Sequence, residues 1–342
     1  MNTGDNFYYC GITSTADKQV ADDFTNVYKA KSLQVPWYSV LGNHEQLDRD
    51  LLSLEMAPRY GYNVEAQCQL SEKLENWVMD SRYYAKRVAA GTGHISFLFL
   101  DTSPCVSAYR GDDESLWDPC GSDFPTCDPI MEGPCKFHEN ILTQNCSEQF
   151  EWFKQQLAEV PKGDWLIVVG HHPADPGAFL YTTCFQINRE CAFWSLSKDE
   201  MDVEDFVSPM QKHGFDLYLN GHTHLLNRYA VNGLGAYVTS GAGAMVKTPD
   251  QDEEEVHLMA KSVETIWEQK VAGFTLHKFS ADFQQLETQF VDYAGKVLYN
   301  FTVRKGVAPS PPPPAQGSCK KYGCGRYDPS HSCQCNEPRS RP

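Results

Sequence analysis

Four short segments of this 342-residue chain set glycine beside side chains that bind metal ions: Gly4-Asp5-Asn6-Phe7-Tyr8, Gly42-Asn43-His44-Glu45, Gly170-His171-His172-Pro173 and Gly221-His222-Thr223-His224. Together they offer a carboxylate, a phenol, an amide oxygen and imidazole nitrogens. Such a set suits hydrolysis of a phosphoester, which needs an activated hydroxide and positive charge against the phosphoryl oxygens. Two metal ions roughly 3.5–4 Å apart supply both. Asp5 is the natural bridging anion. Tyr8, three residues on, gives a phenolate that suits a ferric ion. Asn43 adds a neutral oxygen, and His171, His222 and His224 add nitrogens; this mixture favours iron, zinc or manganese over calcium. His44, next to a ligand, is placed to protonate a leaving alkoxide as a general acid. His172 reads as a packed neighbour of the site. His94, His138, His213, His257, His277 and His331 read as surface or core residues. Each segment alone is an ordinary turn; four in this order make a site.

The elements that must position these corners are legible around them. Val35–Leu41, Trp165–Val169 and Phe215–Leu219 are apolar runs that read as strands ending at or near Gly42, Gly170 and Gly221, and Ile95–Leu100 is a fourth ending at Asp101. Residues 17–29, with Val20, Phe24 and Val27, read as an amphipathic helix. Ser147 is the expected N-cap of a helix turning Phe150, Phe153 and Leu157 to one side. Strands alternating with helices indicate an α/β core with its site just past the strand C-termini. Phe274–Phe279, Leu286–Val291 and Val297–Val303 read as an antiparallel finish. Residues 102–146 form a disulfide-tied excursion, Asp250–Glu255 a solvated acidic loop, and Pro309–Pro314 an extended linker.

Charge and cysteines narrow the setting. Lys+Arg number 29 against 45 Asp+Glu, a net charge of −16, which argues against nucleic acid as a partner. Thirteen cysteines without a zinc-ribbon pair indicate disulfides and an oxidising compartment, secreted or lysosomal/vacuolar. The sequons at Asn145 and Asn300 agree with the secretory route. No run approaches the ~20 apolar residues of a membrane span, and no signal peptide is visible before the first motif, so a leader is expected upstream of Met1.

The four segments resemble the calcineurin-like metallophosphoesterases. Gly4–Tyr8, Val35-Pro36-Trp37-Tyr38 and Gly42–Glu45, with Leu100-Asp101-Thr102, Gly221–His224 and Ser240-Gly241-Ala242-Gly243, are similar to the tartrate-resistant, purple acid phosphatases. The resemblance runs over about residues 3–303. It implies an α/β fold of the α+β type, a four-layer αββα sandwich spanning 1–305; by composition, a linker at 306–317 and a cysteine-rich tail at 318–342 follow. That tail weakly resembles a somatomedin-B-like module. The resemblance to the purple acid phosphatases implies a ferric ion on Asp5, Tyr8 and His224, and a divalent Fe2+, Zn2+ or Mn2+ on Asp5, Asn43, His171 and His222. His44 would assist leaving-group departure, and Cys105 would pair with Cys184 or Cys191. The activity implied is acid phosphatase action on small phosphomonoesters or phosphoproteins, by a monomer. Two departures stand out. The family's Asp-x-Gly segment on its first strand, which carries a further ferric ligand, is expected upstream of Met1. His172 and Glu45 replace a commoner Tyr and Asp. Phosphodiester or nucleotide hydrolysis, and a catalytically impaired interaction protein, are the alternatives.

Overall fold

The structure is a computed structural model, which describes residues 1–8, 10–46, 64–110, 137–174, 205–246 and 263–306. Its strands are β1 (Trp37–Tyr38), β2 (Trp77–Val78), β3 (Tyr84–Ala90), β4 (Gly93–Phe99), β5 (Trp165–Val169) and β6 (Leu217–Asn220), then β7 (Leu226–Val231), β8 (Leu234–Ser240), β9 (Val263–Gln269), β10 (Gly273–Phe279), β11 (Gln285–Asp292) and β12 (Val297–Arg304). The α-helices are α1 (Val64–Gln69), α2 (Ser107–Arg110), α3 (Phe137–Leu142), α4 (Cys146–Glu159) and α5 (Val207–His213).

The largest sheet has the order β3-β4-β5-β6-β8-β7-β9, and its central strands β4, β5, β6 and β8 run parallel. Their continuous apolar runs mark strands covered on both faces, and alternation sorts the side chains. Phe97, Phe99, Trp165, Ile167, Val169 and Leu219 join one core, with Leu286, Phe290, Phe301 and Val303 from the separate sheet β10-β11-β12. Leu98, Leu166, Val168, Tyr218 and Tyr237 join the other, with Phe137, Phe153, Leu157 and Met210 from α3, α4 and α5. Two sheets therefore share one core, and helices close the far face of the larger sheet. This is the mixed α/β architecture expected from the sequence. β1 and β2 pair in parallel, and Phe24 packs edge-on against Trp37 and Trp77.

Four local expectations are corrected. The helix across 17–29 is shortened to 18–25 and is π-helical over Val20–Thr25, where Asn26 N–H closes on the Ala21 carbonyl; Val20 and Phe24 are buried, but Val27 follows its end and is exposed. The run Val35–Leu41 pairs as a strand only at Trp37–Tyr38, with Ser39 bridged to Asn2 and Val35 exposed. The N-cap of α4 is Asn145, whose side chain accepts from Glu148 N, not Ser147. Cys105 bonds Cys146, not Cys184 or Cys191. Both of these last outcomes follow from how α4 docks. Gln149 Nε2 donates to the Asp101 carbonyl at 2.8 Å, and Asp101 N–H donates to Gln149 Oε1 at 3.0 Å, fixing the first turn of α4 to the end of β4. Cys146, already helical and anchored there, brings its Cα to 5.3 Å from that of Cys105, within ordinary disulfide reach. Cys10 is also disulfide-bonded, while Cys68 is free. Most of the 102–146 excursion, Cys184, Cys191, the acidic cluster and all residues from 307 onward lie outside the described residues.

At the opposite end of the sheet from the ligand segments, Asp216 Oδ2 accepts from Leu166 N–H at 2.8 Å, and Asp216 N–H donates to the Leu166 carbonyl at 2.9 Å. Burial, opposed by the Leu166 N–H and Lys305, raises the Asp216 carboxyl to about 6. A carboxyl with a raised folded pKa contributes fully below its unfolded pKa and loses that contribution as pH climbs through the folded value. Asp216→Asn keeps the acceptor without the charge. Its stability relative to the parent is expected to improve by about 2 kcal/mol from pH 4 to pH 7, allowing for residual solvent exposure. Urea denaturation across that range measures it; a constant difference would mean that Asp216 ionises without cost.

Candidate metal centre

Because β4, β5, β6 and β8 are parallel, the segments that follow them emerge at one edge of the sheet. His171 follows β5 and His222 follows β6. The end of β1 brings Gly42-Asn43-His44 to the same place, and the N-terminal residues join it when Asn2 N–H donates to the Tyr38 carbonyl. Asp5 and His222 both have left-handed backbones, φ 51° and 65°. That conformation is costly for residues with side chains, and tolerated where the surroundings enforce it. Gly42 allows the two loops to touch, since a Cβ there would collide with the backbone and carboxylate of Asp5.

All seven residues singled out in the sequence come together. Asn43 Oδ1 lies 2.9 Å from His171 Nε2 and 3.0 Å from His222 Nδ1, and those two nitrogens are 3.1 Å apart. Tyr8 Oη lies 3.1 Å from His224 Nε2. Asp5 stands between the two groups: Oδ2 is 3.0 Å from Tyr8 Oη and 3.2 Å from His171 Nε2, and Oδ1 accepts from His44 N–H at 3.2 Å. The His44 ring leans over Tyr8 with centroids 4.5 Å apart. A cavity of about 210 Å³ opens on Asp5, Tyr8, His171, His222 and His224.

The donor set fits a cation. His171 Nδ1 is 2.7 Å from the Thr3 carbonyl oxygen, which can only accept. Nδ1 therefore carries the ring hydrogen, and Nε2 of the neutral ring turns its lone pair inward. It faces Asn43 Oδ1 and Asp5 Oδ2, both acceptors, so the three repel unless positive charge sits among them. Meanwhile Asn43 Nδ2 is buried without a hydrogen-bond partner. Burial opposes ionisation of Asp5, but His171, His44 and His222 hold its carboxyl well below the usual range. Burial also opposes a charged His171, and Asp5 outweighs it, raising that imidazole.

His172 is as close to this cluster as its other members are, with its ring centroid 4.2 Å from that of His222. Its nitrogens are nevertheless committed elsewhere. Thr102 Oγ1 accepts from the backbone N–H groups of His171 and His172, so its own hydrogen goes to His172 Nδ1 at 2.7 Å. The remaining nitrogen, Nε2, carries hydrogen and meets Tyr109 Oη at 3.1 Å. Burial, reinforced by His222 and His171, pushes its pKa well down. His172 is thus a neutral, packed support, as its sequence context suggested.

Sequence reasoning passed over three supports. Glu45 accepts from Asp5 N–H at 3.0 Å, Phe7 N–H at 3.1 Å and Gly42 N–H at 2.6 Å, joining the first two ligand loops. Burial and the charge of Asp5 raise its carboxyl to about 7 against those donors. The Thr3 carbonyl sets the His171 tautomer, and Gln46 Nε2 grips the buried Asp101 carboxylate at 3.0 and 3.2 Å. Glu45 follows a ligand motif directly, and that adjacency was the available signal; a backbone carbonyl such as that of Thr3 leaves none. The sequon residues Asn145 and Asn300 are both exposed. His277 is hydrogen-bonded to Thr275 and Thr288 within the smaller sheet. Among the described residues no helix is long and apolar enough to cross a membrane.

Comparison with known proteins identifies relatives of this chain. The calcineurin-like phosphoesterase family model matches residues 1–226. Tartrate-resistant acid phosphatase type 5 of Oryctolagus cuniculus is 27% identical over 310 residues, covering 89% of this chain and 78% of the relative. Purple acid phosphatase 3 of Arabidopsis thaliana is 29% identical over 248 residues, 71% of this chain and 53% of the relative. In structure, the anchor in the inner membrane complex of Plasmodium is similar with a TM-score of 0.53 at 18% identity, over 89% of this chain and 78% of that one; this likeness concerns the fold. These relationships make the chain a phosphoester hydrolase and imply a binuclear metal centre. Since the family match runs through all four ligand segments, the chain belongs to the calcineurin-like phosphoesterases.

Proposed function

We propose that the chain is an acid phosphatase that cleaves phosphomonoesters at a binuclear centre of the purple type. The observation that carries this reading is the Asp5 carboxylate lying between a phenol–imidazole pair and an amide–imidazole group. Tyr8 and His224, with Asp5, would hold a ferric ion. Asn43, His171 and His222, with Asp5, would hold Fe2+, Zn2+ or Mn2+. When bound, the metal pair supplies an activated nucleophile and positive charge for the phosphoryl oxygens.

The chain's own residues have distinct tasks. Thr3 keeps the His171 lone pair directed inward, and Glu45 braces the Asp5 loop against the Asn43 loop; such outer partners govern ligand orientation. His44, anchored through its backbone to Asp5, would give a proton to the departing alkoxide. The substrate class is a small phosphomonoester or an exposed phosphoryl group on a protein, acted on by a monomer. Disulfide bonding at Cys105, Cys146 and Cys10, together with the exposed sequons, supports a secreted or lysosomal/vacuolar setting. Residues 1–305 would form the catalytic domain, with the linker at 306–317 and the cysteine-rich tail at 318–342.

Three measurements test these assignments. Turnover of an aryl phosphomonoester should exceed that of the corresponding diester; faster diester turnover would replace this reading with a phosphodiesterase. His222→Ala should lose bound metal and activity together, whereas His44→Ala should keep its metal content and slow turnover by about 10²–10⁴. Metal loss in the His44 variant would refute the division between holding and proton transfer. Finally, the oxidised, iron-loaded protein should show a visible phenolate-to-iron band that Tyr8→Phe abolishes. A band that survives the substitution would remove Tyr8 from the ferric ligands.

A further inference from the structure

Strands β10, β11 and β12 turn alternate side chains to opposite faces. Leu286, Phe290, Phe301 and Val303 point into the core and are buried. Residues directly paired across an antiparallel ladder share a face, so the register defines the other side. Its first row is Phe274–Val291–Val297, its second Leu276–Gln289–Asn300, and its third Lys278–Glu287–Thr302. Phe274 is 52% exposed, Leu276 50% and Val297 43%. Isolated apolar side chains on a surface need no explanation. Here Phe274 and Leu276 adjoin along β10 on one sheet face, with Val297 beyond the buried Val291, and β12 is the last strand in the order β10-β11-β12 among the described residues. An apolar face beside a sheet edge invites association unless something covers it.

The sequon Asn300-Phe301-Thr302 lies on that edge strand, and its alternation matches the face. Phe301 is turned inward and 7% exposed, while Asn300 and Thr302 are exposed on the outer side. Asn300 is in the same row as Leu276, two strand spacings or roughly 10 Å away. We propose that Asn300 carries an N-linked glycan whose first sugars lie across this face and cover Leu276 and Phe274. The occupant is carbohydrate because its attachment point is in the middle row of the surface it would cover. The C–H faces of the sugar rings would rest on the apolar side chains, and their hydroxyls would face water. In the attachment step Asn300 Nδ2 bonds to C1 of a polyprenyl-pyrophosphate-linked oligosaccharide. The C1–O bond to pyrophosphate breaks, Nδ2 loses a proton, and the lipid pyrophosphate leaves. The inference rests on the secretory setting proposed above and is independent of the metal centre.

The test uses the full chain secreted from a eukaryotic host. Glycopeptide mass spectrometry should find Asn300 occupied. Asn300→Gln and Thr302→Ala, which remove the same sequon differently, should both leave phosphatase activity unchanged and raise binding of a hydrophobic dye by about twofold. Adding Phe274→Ser and Leu276→Ser to Asn300→Gln should bring dye binding back to the parent level. An unmodified Asn300, whether or not Asn145 is modified, would overturn the proposal. So would unchanged dye binding in both sequon variants, or increased binding that the serine substitutions fail to reverse. Loss of activity with Asn300 occupied would bear on the catalytic reading alone.

Discussion

Everything at the candidate site is arranged around one buried carboxylate. Asp5 is 6% exposed at its side chain, and it sits within hydrogen-bonding distance of Tyr8, His171 and the His44 backbone. A buried anion is costly unless opposite charge accompanies it, and the effective penalty is several kcal/mol per ion. Glu45 adds a second buried carboxyl, itself raised by burial and by Asp5. Such a site is stable when cationic charge enters it, whether as protons on imidazole or as metal ions. The same electrostatic demand bears on His171 Nε2, whose lone pair, set by the Thr3 carbonyl on Nδ1, faces the amide oxygen of Asn43 and the Asp5 carboxylate.

Charge alone would not fix the geometry; the mounting behind it does. Thr102 receives two backbone N–H groups and orients His172, whose other nitrogen is taken by Tyr109 and whose carbonyl accepts from Tyr218 Oη at 2.8 Å. On the next strand Tyr229 Oη donates to Asn220 Oδ1, and Asn220 Nδ2 donates to the Gly221 carbonyl just before His222. These buried networks are satisfied, and satisfied buried networks confer rigidity. The strained backbones at Asp5 and His222 persist because their neighbours leave no alternative arrangement.

Much of this was legible in the chain, for reasons particular to each residue. Side chains able to hold a metal are of few chemical types, so the candidates Asp5, Tyr8, Asn43, His171, His222 and His224 stood out together, the last four of them just past apolar runs. Trp165–Val169 read as a buried strand because both its faces are covered, leaving no polar alternation to obscure it. The structure differed where long-range packing decides a local choice. Ser147 and Asn145 are both competent caps, and the docking of Gln149 on β4 selected Asn145. Cys105 had several partners within the sequence, and only the position of α4 selects Cys146. The helix across 17–29 shortened because Phe24 commits its turn to Trp37 and Trp77, after which nothing buries Val27.

The smaller sheet shows how one strand can serve two surfaces without conflict. Inside, the Arg228 guanidinium lies 3.9 Å from the Phe301 ring centroid and donates to Tyr299 Oη at 2.6 Å, while Tyr299 stacks on Trp267 at 5.1 Å. Arg228 belongs to β7, close in sequence to His224, so this aromatic seam joins the sheet bearing the ligand segments to β12. Cation–π contacts of this kind gain strength when desolvated, and Arg228 is only 9% exposed. Asn300, one residue from Phe301, turns the opposite way. Period-two alternation therefore separates the seam that supports the catalytic edge from the face exposed to solvent. A bulky group on Asn300 would load the outer face and leave the packing of Phe301 against Arg228 intact, so surface protection and catalytic geometry can be set independently on a single strand.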